Sequence, residues 1–334
     1  MSTHDEEFSA LGPAPIRDGA GARAIPEGIT VEHDGFHTIQ KIHATAIAVI
    51  PAIGTVAAFW LAFVQGVTAT DMILLAAFYI FTMLGITLGY HRLFSHRSFK
   101  AVSWVRVTLA IAGMMAAQGS VVYWVSNHRR HHQYTDLPGD VHSPYVRDEG
   151  EMDIVTGFWH SHMGWTFNHK LTNSVLYTKD LYRDPAIAKA NRLYYLWVFL
   201  GLALPALIGG LVAMSWMGAL TGFLWGGMVR MFLSYHFVNG IDSVTHIFGR
   251  QAFKSDDHSV NNALWALPTL GEGWHNNHHA FPSSAVFGFE WYQLDPGAWL
   301  LYGMRKLGWV WDIQKPTEAM IAAKRPGTAE AHAK

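Results

Sequence analysis

The sequence predicts an all-α integral membrane protein with four membrane-spanning helices arranged as two hairpins. Of its 334 residues, 50% are hydrophobic and 15% are charged, whereas soluble domains carry about 25% charged residues. Four predominantly apolar segments are each long enough to cross the roughly 30 Å hydrocarbon layer of a bilayer. These segments are residues 42–64, 72–90, 194–214 and 216–238. Short connections join the first to the second and the third to the fourth, which predicts the two hairpins.

The segments that flank the predicted spans are more polar. Residues 1–41 contain prolines and scattered charges and predict a flexible N-terminal tail, and residues 316–334 predict a C-terminal tail. The membrane domain between them covers residues 42–315. Residues 101–124 are also apolar, but a full crossing there would place the histidines before and after it on opposite sides of the bilayer. We therefore interpret this segment as an interfacial or re-entrant helix.

The distribution of charge predicts the orientation in the membrane. Lysine and arginine are absent from the two hairpin turns and concentrated in the N-terminal, central and C-terminal segments. The positive-inside rule then places both termini and all the histidine-rich segments in the cytoplasm. The formal net charge of −1 argues against a nucleic-acid partner, and the lack of cysteine excludes disulfides, iron–sulfur clusters and thiolate chemistry.

Histidine is the anomalous residue type, with 20 copies. Eight of them stand in three groups: His91 and His96; His128, His131 and His132; and His275, His278 and His279. The second and third groups share the i, i+3, i+4 spacing, which aligns side chains along one helix face. The first two histidines are five residues apart, which on a regular helix separates them by roughly 140°. They converge if the helix ends between them; otherwise they serve two different metal ions.

Eight imidazoles in this arrangement predict a metal centre. Imidazole suits Fe, Cu, Zn and Ni, and more than five candidate ligands exceed the usual four-coordinate zinc site. Two metal ions therefore fit the sequence better than one. Iron suits a membrane enzyme that uses oxygen, whereas the spacing itself does not distinguish iron from copper.

The same groups carry a family resemblance. The sequences HRLFSH at 91–96, NHRRHH at 127–132 and GWHNNHH at 273–279 resemble the three histidine boxes of the membrane-bound fatty acid desaturases, most closely those of the Δ9 acyl-CoA (stearoyl-CoA) type. The resemblance implies a four-span fold with a cytosolic helical cap that holds a di-iron centre. It also implies an O2-dependent reaction that inserts a cis double bond, at Δ9, into a saturated long-chain acyl substrate, with acyl-CoA favoured.

The resemblance further implies a ninth histidine ligand, His246, shortly after the fourth span. Asp242 stands four residues earlier, where the stearoyl-CoA type normally has an asparagine that reaches one metal ion through water. We expect Asp242 to bind through that water, to replace it, or to act only as a hydrogen-bond partner. Acidic residues near the boxes are candidates to accept the outer N–H of a ligand imidazole: Asp136, Asp140, Asp256, Asp257 and Glu272.

Other positions are expected to contact the substrate. Trp124 matches a family position that lines the bend of the acyl tunnel. Tyr79 and Met83, spaced i, i+4 along the second span, are candidates for the closed end of the tunnel, with ordinary helix packing as the alternative. Where acyl-CoA members carry polar headgroup contacts, this chain has a Ser-Asn pair at 126–127 and Gly119. Acyl-lipid and acyl-carrier substrates therefore remain alternatives to acyl-CoA.

The sequence also bears on the electron donor and on alternative functions. The chain shows no haem-domain or flavin motif, so we expect a separate electron donor of the cytochrome b5 or ferredoxin type with its reductase. The arginines of the first box, Arg92 and Arg97, are interpreted as markers of the cytosolic boundary. A membrane di-iron hydroxylase of alkanes or fatty acids is the nearest alternative. A metal transporter would carry several ionisable residues deep in its spans, where this sequence has little beyond Arg230.

Overall fold

The computed structural model describes residues 27–147 and 150–326, apart from the side chain of Asp34, and these residues are mostly helical. The first hairpin consists of α1 (Asp34–Gln65) and α2 (Ala69–Leu84), and α2 continues without a break as a π-helix, π1 (Gly85–Ser95). A capping box closes the turn before α2: the Asp71 N–H donates to the Thr68 hydroxyl, and the Thr68 N–H donates to the Asp71 carboxylate. Such a box fixes the start of a helix.

Among the described residues, three helices are long and apolar enough to cross a membrane: Gly35–Gln65, Ala69–Ser95 and Tyr194–Ala213. They correspond to the first three predicted spans. The segment predicted as the fourth span is helical but divided into α11 (Trp216–Gly222), π3 (Phe223–Val229) and α12 (Arg230–Ile247). By length and composition, three of the four predicted spans are therefore matched, whereas the fourth segment carries the fully buried Arg230.

The cap is built from short elements. Its first half contains α3 (Ser103–Met115), α4 (Val121–Tyr134), α5 (Ile154–Trp159), π2 (His160–Gly164), α6 (Trp165–Asn168), α7 (Ser174–Tyr177), α8 (Lys179–Arg183) and α9 (Pro185–Arg192), and the third span is α10 (Tyr194–Ala213). Its second half contains α13 (Ala263–Ala266), α14 (His275–Ala280), α15 (Pro296–Lys306) and α16 (Glu318–Lys324). The segment predicted to be interfacial thus forms α3 and the start of α4. At 13 residues, α3 is about 20 Å long, too short to cross the hydrocarbon layer.

Three two-stranded antiparallel sheets tie the cap together. The pairs are β1 (Thr30–Val31) with β5 (Leu171–Thr172), β2 (Lys100–Ala101) with β6 (Val310–Trp311), and β3 (Val146–Arg147) with β4 (Gly150–Glu151). Strand β1 and the start of α1 at Asp34 lie inside the segment predicted as an N-terminal tail, and α16 lies inside the predicted C-terminal tail. The remaining parts of those tails, residues 1–26 and 327–334, lie outside the described residues.

The main core forms where π1 packs against α3. Gly85 permits this close contact, because a Cβ built there would lie 2.1 Å from the backbone nitrogen of Gly113. Leu88 and Tyr90 of π1 and Met114 of α3 are buried in the same hydrophobic cluster. The packing anchors the end of the second span against α3, directly beside the first pair of histidines.

Arg230 joins three helices at one buried point. Its guanidinium donates to the backbone carbonyls of Met115 (2.6 Å), Gly201 (2.7 Å) and Gly226 (3.2 Å). Met115 is the last residue of α3, and the final carbonyls of a helix have no partners within it. A cation is also favourable at the negative end of a helix. Arg230 therefore secures α3 to the third span and to π3.

We predict that Arg230→Met destabilises the protein by about 3 kcal/mol, because three buried carbonyls lose their donor. The measurement is the melting temperature of the detergent-solubilised protein. Arg230→Lys is the matched control, since it keeps the charge with fewer donors, and a smaller loss is expected. Equal melting temperatures for wild type and the methionine variant would contradict this role.

Candidate metal centre

The first two histidines converge because the second span ends as a π-helix. In a π-helix the backbone N–H of one residue bonds to the carbonyl five residues earlier, and the His96 N–H donates to the His91 carbonyl at 3.1 Å. Residues five apart then lie on the same side. The ring centroids of His91 and His96 are 4.9 Å apart. The convergence therefore comes from a wider helical turn, and the spacing that is unfavourable on an α-helix is suited to π1.

The other histidines come from three separate elements. The second group lies on α4, which begins at the cap residue Ser120; the third forms the short α14; and His246 lies one residue before the end of α12. The structure brings all nine together in two clusters whose ligand atoms lie within 4.8 Å of one another. The first cluster is His91, His96, His128, His132 and His278; the second cluster is His131, His246, His275 and His279.

The nitrogens inside these clusters approach each other closely. The Nε2 atoms are 2.8 Å apart for His96 and His128, 2.9 Å for His132 and His278, 3.0 Å for His91 and His278, and 3.1 Å for His246 and His275. The Nε2 atoms of His131 and His279 are buried and make no hydrogen bond. Converging, buried imidazole nitrogens suit a cation at the centre of each cluster.

Four carboxylates fix the outer nitrogens of the imidazoles. The Nδ1 of His91 lies 2.5 Å from Glu272, that of His131 lies 2.9 Å from Asp140, that of His246 lies 3.2 Å from Asp136, and that of His279 lies 2.9 Å from Asp257. Because a neutral imidazole that donates from Nδ1 keeps its lone pair on Nε2, these bonds direct the lone pairs inward. Such outer partners raise the basicity of metal-binding histidines.

The prediction of these carboxylate partners is confirmed for four of the five acidic residues. Asp256 differs, because its side chain lies exposed at the surface. Burial disfavours the ionised form of Asp136, Asp140, Asp257 and Glu272, but the facing histidine together with neighbouring charges and hydrogen-bond donors lowers the pKa of each. The carboxylates therefore stay ionised and act as fixed acceptors.

Four of the inward-facing imidazoles are neutral at physiological pH. Burial, and next the neighbouring histidines, lower the pKa of His128, His132, His275 and His278 well below the ordinary value of 6.5. A neutral imidazole is the form that binds metal. The residues present therefore fit two metal ions, one in each cluster.

Asp242 lies beside the second cluster without touching another carboxylate. Its Oδ1 is 3.7 Å from the Nε2 of His142, and burial raises the pKa of Asp242 to about 7, opposed by His131 and His246. His142 itself forms a third potential metal-binding group with His131 and Asp140. The sequence pointed to Asp242, but it offered no signal for His142 beyond the general excess of histidine.

Arg92 was interpreted as a boundary marker, and this interpretation is wrong. Its side chain is fully buried and bonds to both oxygens of Asp295, at 3.0 and 3.1 Å, and to the carbonyl of Ala285. Its Nε lies 3.5 Å from Glu272, the carboxylate that orients His91. Arg92 thus couples the first box to the segment after the third. Only the fold shows this, since 203 residues separate Arg92 from Asp295.

A mostly apolar cavity of about 310 Å³ ends at the metal-binding residues. His91, His128 and His275 form part of its wall, and its lining at the other side includes Phe36 and Tyr195, which are 48% and 68% exposed. Cavities of this kind suit an extended apolar ligand with few polar contacts.

The three substrate residues expected from sequence differ in their placement. Trp124 lines the cavity and stacks on His128, with ring centroids 4.9 Å apart and planes 17° apart. Tyr79 and Met83 do not line it. The Tyr79 hydroxyl donates to the carbonyl of Pro268 at 2.7 Å, and Met83 is fully buried in the main core. Their suggested role at the tunnel end stays a prediction, and their packing favours the structural alternative.

Comparison with known proteins agrees with these observations. The family model described as "Fatty acid desaturase" matches residues 67–312. The chain is 45% identical over 298 residues to a hex-5-enoyl acyl-carrier-protein acetylenase of Moorena producens (strain JHB), covering 89% of this chain and 93% of that protein.

More distant relatives act on other acyl carriers. The chain is 38% identical over 244 residues to an sn-1 stearoyl-lipid 9-desaturase of Synechocystis sp. (72% of this chain, 70% of that protein). It is 37% identical over 240 residues to an acyl-CoA 5-desaturase of Anemone leveillei (71% of this chain, 69% of that protein). The histidine clusters, the apolar helices and these matches together lead to one conclusion: the chain belongs to the fatty acid desaturase family.

Proposed function

We propose that this protein is an O2-dependent di-iron desaturase that inserts a cis double bond, at Δ9, into a saturated long-chain acyl substrate. The observation that carries the proposal is the pair of histidine clusters at the end of an apolar cavity. When bound, two iron ions would supply the oxidising power of O2. One O2, two electrons and two protons then convert two neighbouring methylenes into an alkene and release two waters.

The residues of this chain supply binding and orientation. The five histidines of the first cluster would hold one iron and the four of the second cluster the other. Glu272, Asp140, Asp136 and Asp257 keep the inward lone pairs available by accepting the outer protons. Trp124, stacked on His128, forms an apolar wall that would hold the acyl chain beside the centre and exclude water.

Asp242 is proposed as an additional ligand of the second iron, directly or through one water. It lies on the cavity wall beside the second cluster, and its Oδ1 is 3.7 Å from the Nε2 of His142. A carboxylate in place of the usual asparagine would lower the net charge of that half of the centre.

For the acyl carrier, the structure favours a lipid over CoA. A Cβ at Gly119 would lie 2.4 Å from the Tyr123 ring, so no polar side chain fits there. The Ser126 hydroxyl donates to the Tyr123 carbonyl and the Asn127 carbonyl oxygen accepts from Thr172, which leaves only the Asn127 amide nitrogen without a partner. The exposed apolar residues at the outer end of the cavity suit a chain that enters from the bilayer. Acyl-CoA and acyl-carrier protein remain the alternatives, and the relatives include enzymes named for each.

The proposed topology follows from the fold and the charge distribution. Residues 216–238 would complete the second hairpin as a fourth span despite the π-helix within it. Both termini and the metal centre would then face the cytoplasm, where a cytochrome b5-type or ferredoxin-type donor with its reductase supplies the two electrons.

Three other functions can be compared with this one. An acetylenase, which forms a triple bond, is favoured as the second candidate by the 45% identity to a protein with that name. A hydroxylase would use the same ligands and O2. A transporter is disfavoured, because the buried cation Arg230 is engaged by three backbone carbonyls and does not line the cavity that reaches the metal-binding residues.

Product analysis tests the proposed reaction. The iron-loaded protein in nanodiscs, with a reduced donor, is supplied with a stearoyl group as phospholipid, as CoA thioester or as carrier-protein thioester. We expect a Δ9 monoene, located by derivatisation of the methyl esters, with the highest yield from the lipid. A hydroxy acid would indicate a hydroxylase, and an alkyne from an enoyl substrate would indicate an acetylenase. No product from an enzyme that holds iron and accepts electrons would contradict the proposal.

A second prediction concerns the carboxylate that orients His91. Glu272→Gln should lower iron affinity about 10- to 100-fold, because the outer N–H of His91 loses its charged acceptor. The measurement is iron content during titration with a chelator. Glu290→Gln is the control, because Glu290 pairs with Arg325 at the surface, and it should retain iron like the wild type. Unchanged affinity in the Glu272 variant would argue against its role.

A third prediction concerns Asp242. Its pKa is about 7 in the folded metal-free protein against 3.8 ordinarily, so between about pH 4 and 7 the folded chain binds a proton that the unfolded chain has lost. Folding stability therefore falls as pH rises through this window. Asp242→Asn should remove this loss and stabilise the metal-free protein at pH 8 by about 2 kcal/mol, while reducing the stability gained on adding Fe2+.

Melting temperatures at pH 5 and pH 8, with and without Fe2+, measure both effects. An Asp242→Asn protein with the pH profile and the Fe2+ response of the wild type would rule out Asp242 as a ligand. A changed pH profile with an unchanged Fe2+ response would leave it as a buried hydrogen-bonding group only.

A further inference from the structure

A second cavity reaches the metal-binding residues from another side. This polar cleft, of about 410 Å³, is lined by side chains that include His132, His279, Asp257, Asp256, Lys254 and Lys324. None of its lining residues also lines the apolar cavity. The metal-binding residues therefore separate two spaces of opposite character, and the polar cleft has no role in holding an acyl chain.

The cleft touches one histidine from each cluster. His132 belongs to the first cluster and is partly exposed, and His279 belongs to the second. Their rings are stacked, with centroids 4.6 Å apart and planes 25° apart. Asp257, on the cleft wall, accepts the Nδ1 proton of His279 at 2.9 Å. Only one histidine side chain would thus separate a partner in the cleft from each proposed metal ion.

We propose that this cleft is the docking site of the electron donor, a small one-electron carrier with an acidic surface. The inference rests on the proposed function, which requires two electrons for each double bond. The donor would bind twice in each cycle. In each encounter the donor would lose one electron, which would enter the centre through His132 or His279. The protons would come from water.

The charges at the rim favour an acidic partner. Lys254 and Lys324 are exposed there, and Asp256 is the exposed acid, whereas Asp257 points inward to His279 and is only 8% exposed. The Lys324 ammonium donates to the carbonyl of Ala280 at 2.6 Å. Lys254 uses its backbone N–H, which donates to the Lys324 carbonyl at 2.9 Å, so its side chain can be changed without removing that bond.

An exposed aromatic pair lies next to this rim. Glu290, which pairs with Arg325 beside Lys324, is followed by Trp291 and Tyr292, which are 91% and 57% exposed. Tryptophan, tyrosine and arginine are the residue types that most often dominate binding at protein interfaces. A water-exposed tryptophan in the cap is therefore suited to contact a partner protein.

The test compares reduction by a protein donor with reduction by a small molecule. The iron-loaded enzyme in nanodiscs is mixed with reduced plant-type ferredoxin, or with the reduced haem domain of cytochrome b5, and with dithionite. Lys254→Glu should slow reduction by the protein donors about 5- to 10-fold at low salt, because steering by opposite charges is lost. Asp256→Lys should accelerate it, and high salt should remove both differences.

Two controls make the result specific. Lys189→Glu changes an exposed lysine that does not line the cleft. The protein donors should reduce this variant at the wild-type rate. Dithionite reduction and iron content should be unchanged in all variants, and donor binding to the iron-free protein should weaken only in Lys254→Glu. Equal donor rates and binding for Lys254→Glu and Lys189→Glu would overturn the docking site. A protein that binds no iron would instead contradict the proposed function.

Discussion

The structure depends on bringing nine imidazoles together with ring nitrogens that point toward one another. Four ionised carboxylates orient four of these rings by accepting the outer protons, at distances of 2.5 to 3.2 Å. The Nε2 atoms of four histidine pairs lie 2.8 to 3.1 Å apart. The arrangement therefore links the fold to metal binding, since the fold gathers nitrogen ligands that no single element supplies.

The irregular parts of the helices serve this convergence. The π-helical end of the second span aligns His91 with His96, and α3 stops short of a crossing so that α4 delivers its histidines to the same place. Both features leave backbone groups without ordinary helical partners. Gly85 permits the contact of π1 with α3, and Arg230 supplies donors to the end of α3. These two departures from regular helix geometry thus lie where the histidines converge.

The centre also separates two environments. The apolar cavity with Trp124 would exclude water from the reacting carbons, whereas the polar cleft with His132 and Asp257 is open to charged partners. The separation fits the proposal that the substrate comes from the bilayer and the electrons from a soluble protein. Asp242 lies on the wall of the apolar cavity. A change in its charge would therefore alter the electrostatic potential in the cavity and at the proposed second iron.

Composition, helical spacing and motif are local properties, and from them the sequence indicated the membrane class, the family and the grouping of the eight box histidines. It also indicated the acidic partners, four of which the structure confirms. Tertiary structure alone decided the π-helical convergence, the interruption of the fourth apolar segment and the burial of Arg92. The reason is physical: a hydrogen bond between residues 203 positions apart, or a helix widened by packing against a neighbour, leaves no periodic trace in the chain. The same holds for the cavity and the cleft, which exist only between elements that the fold brings together.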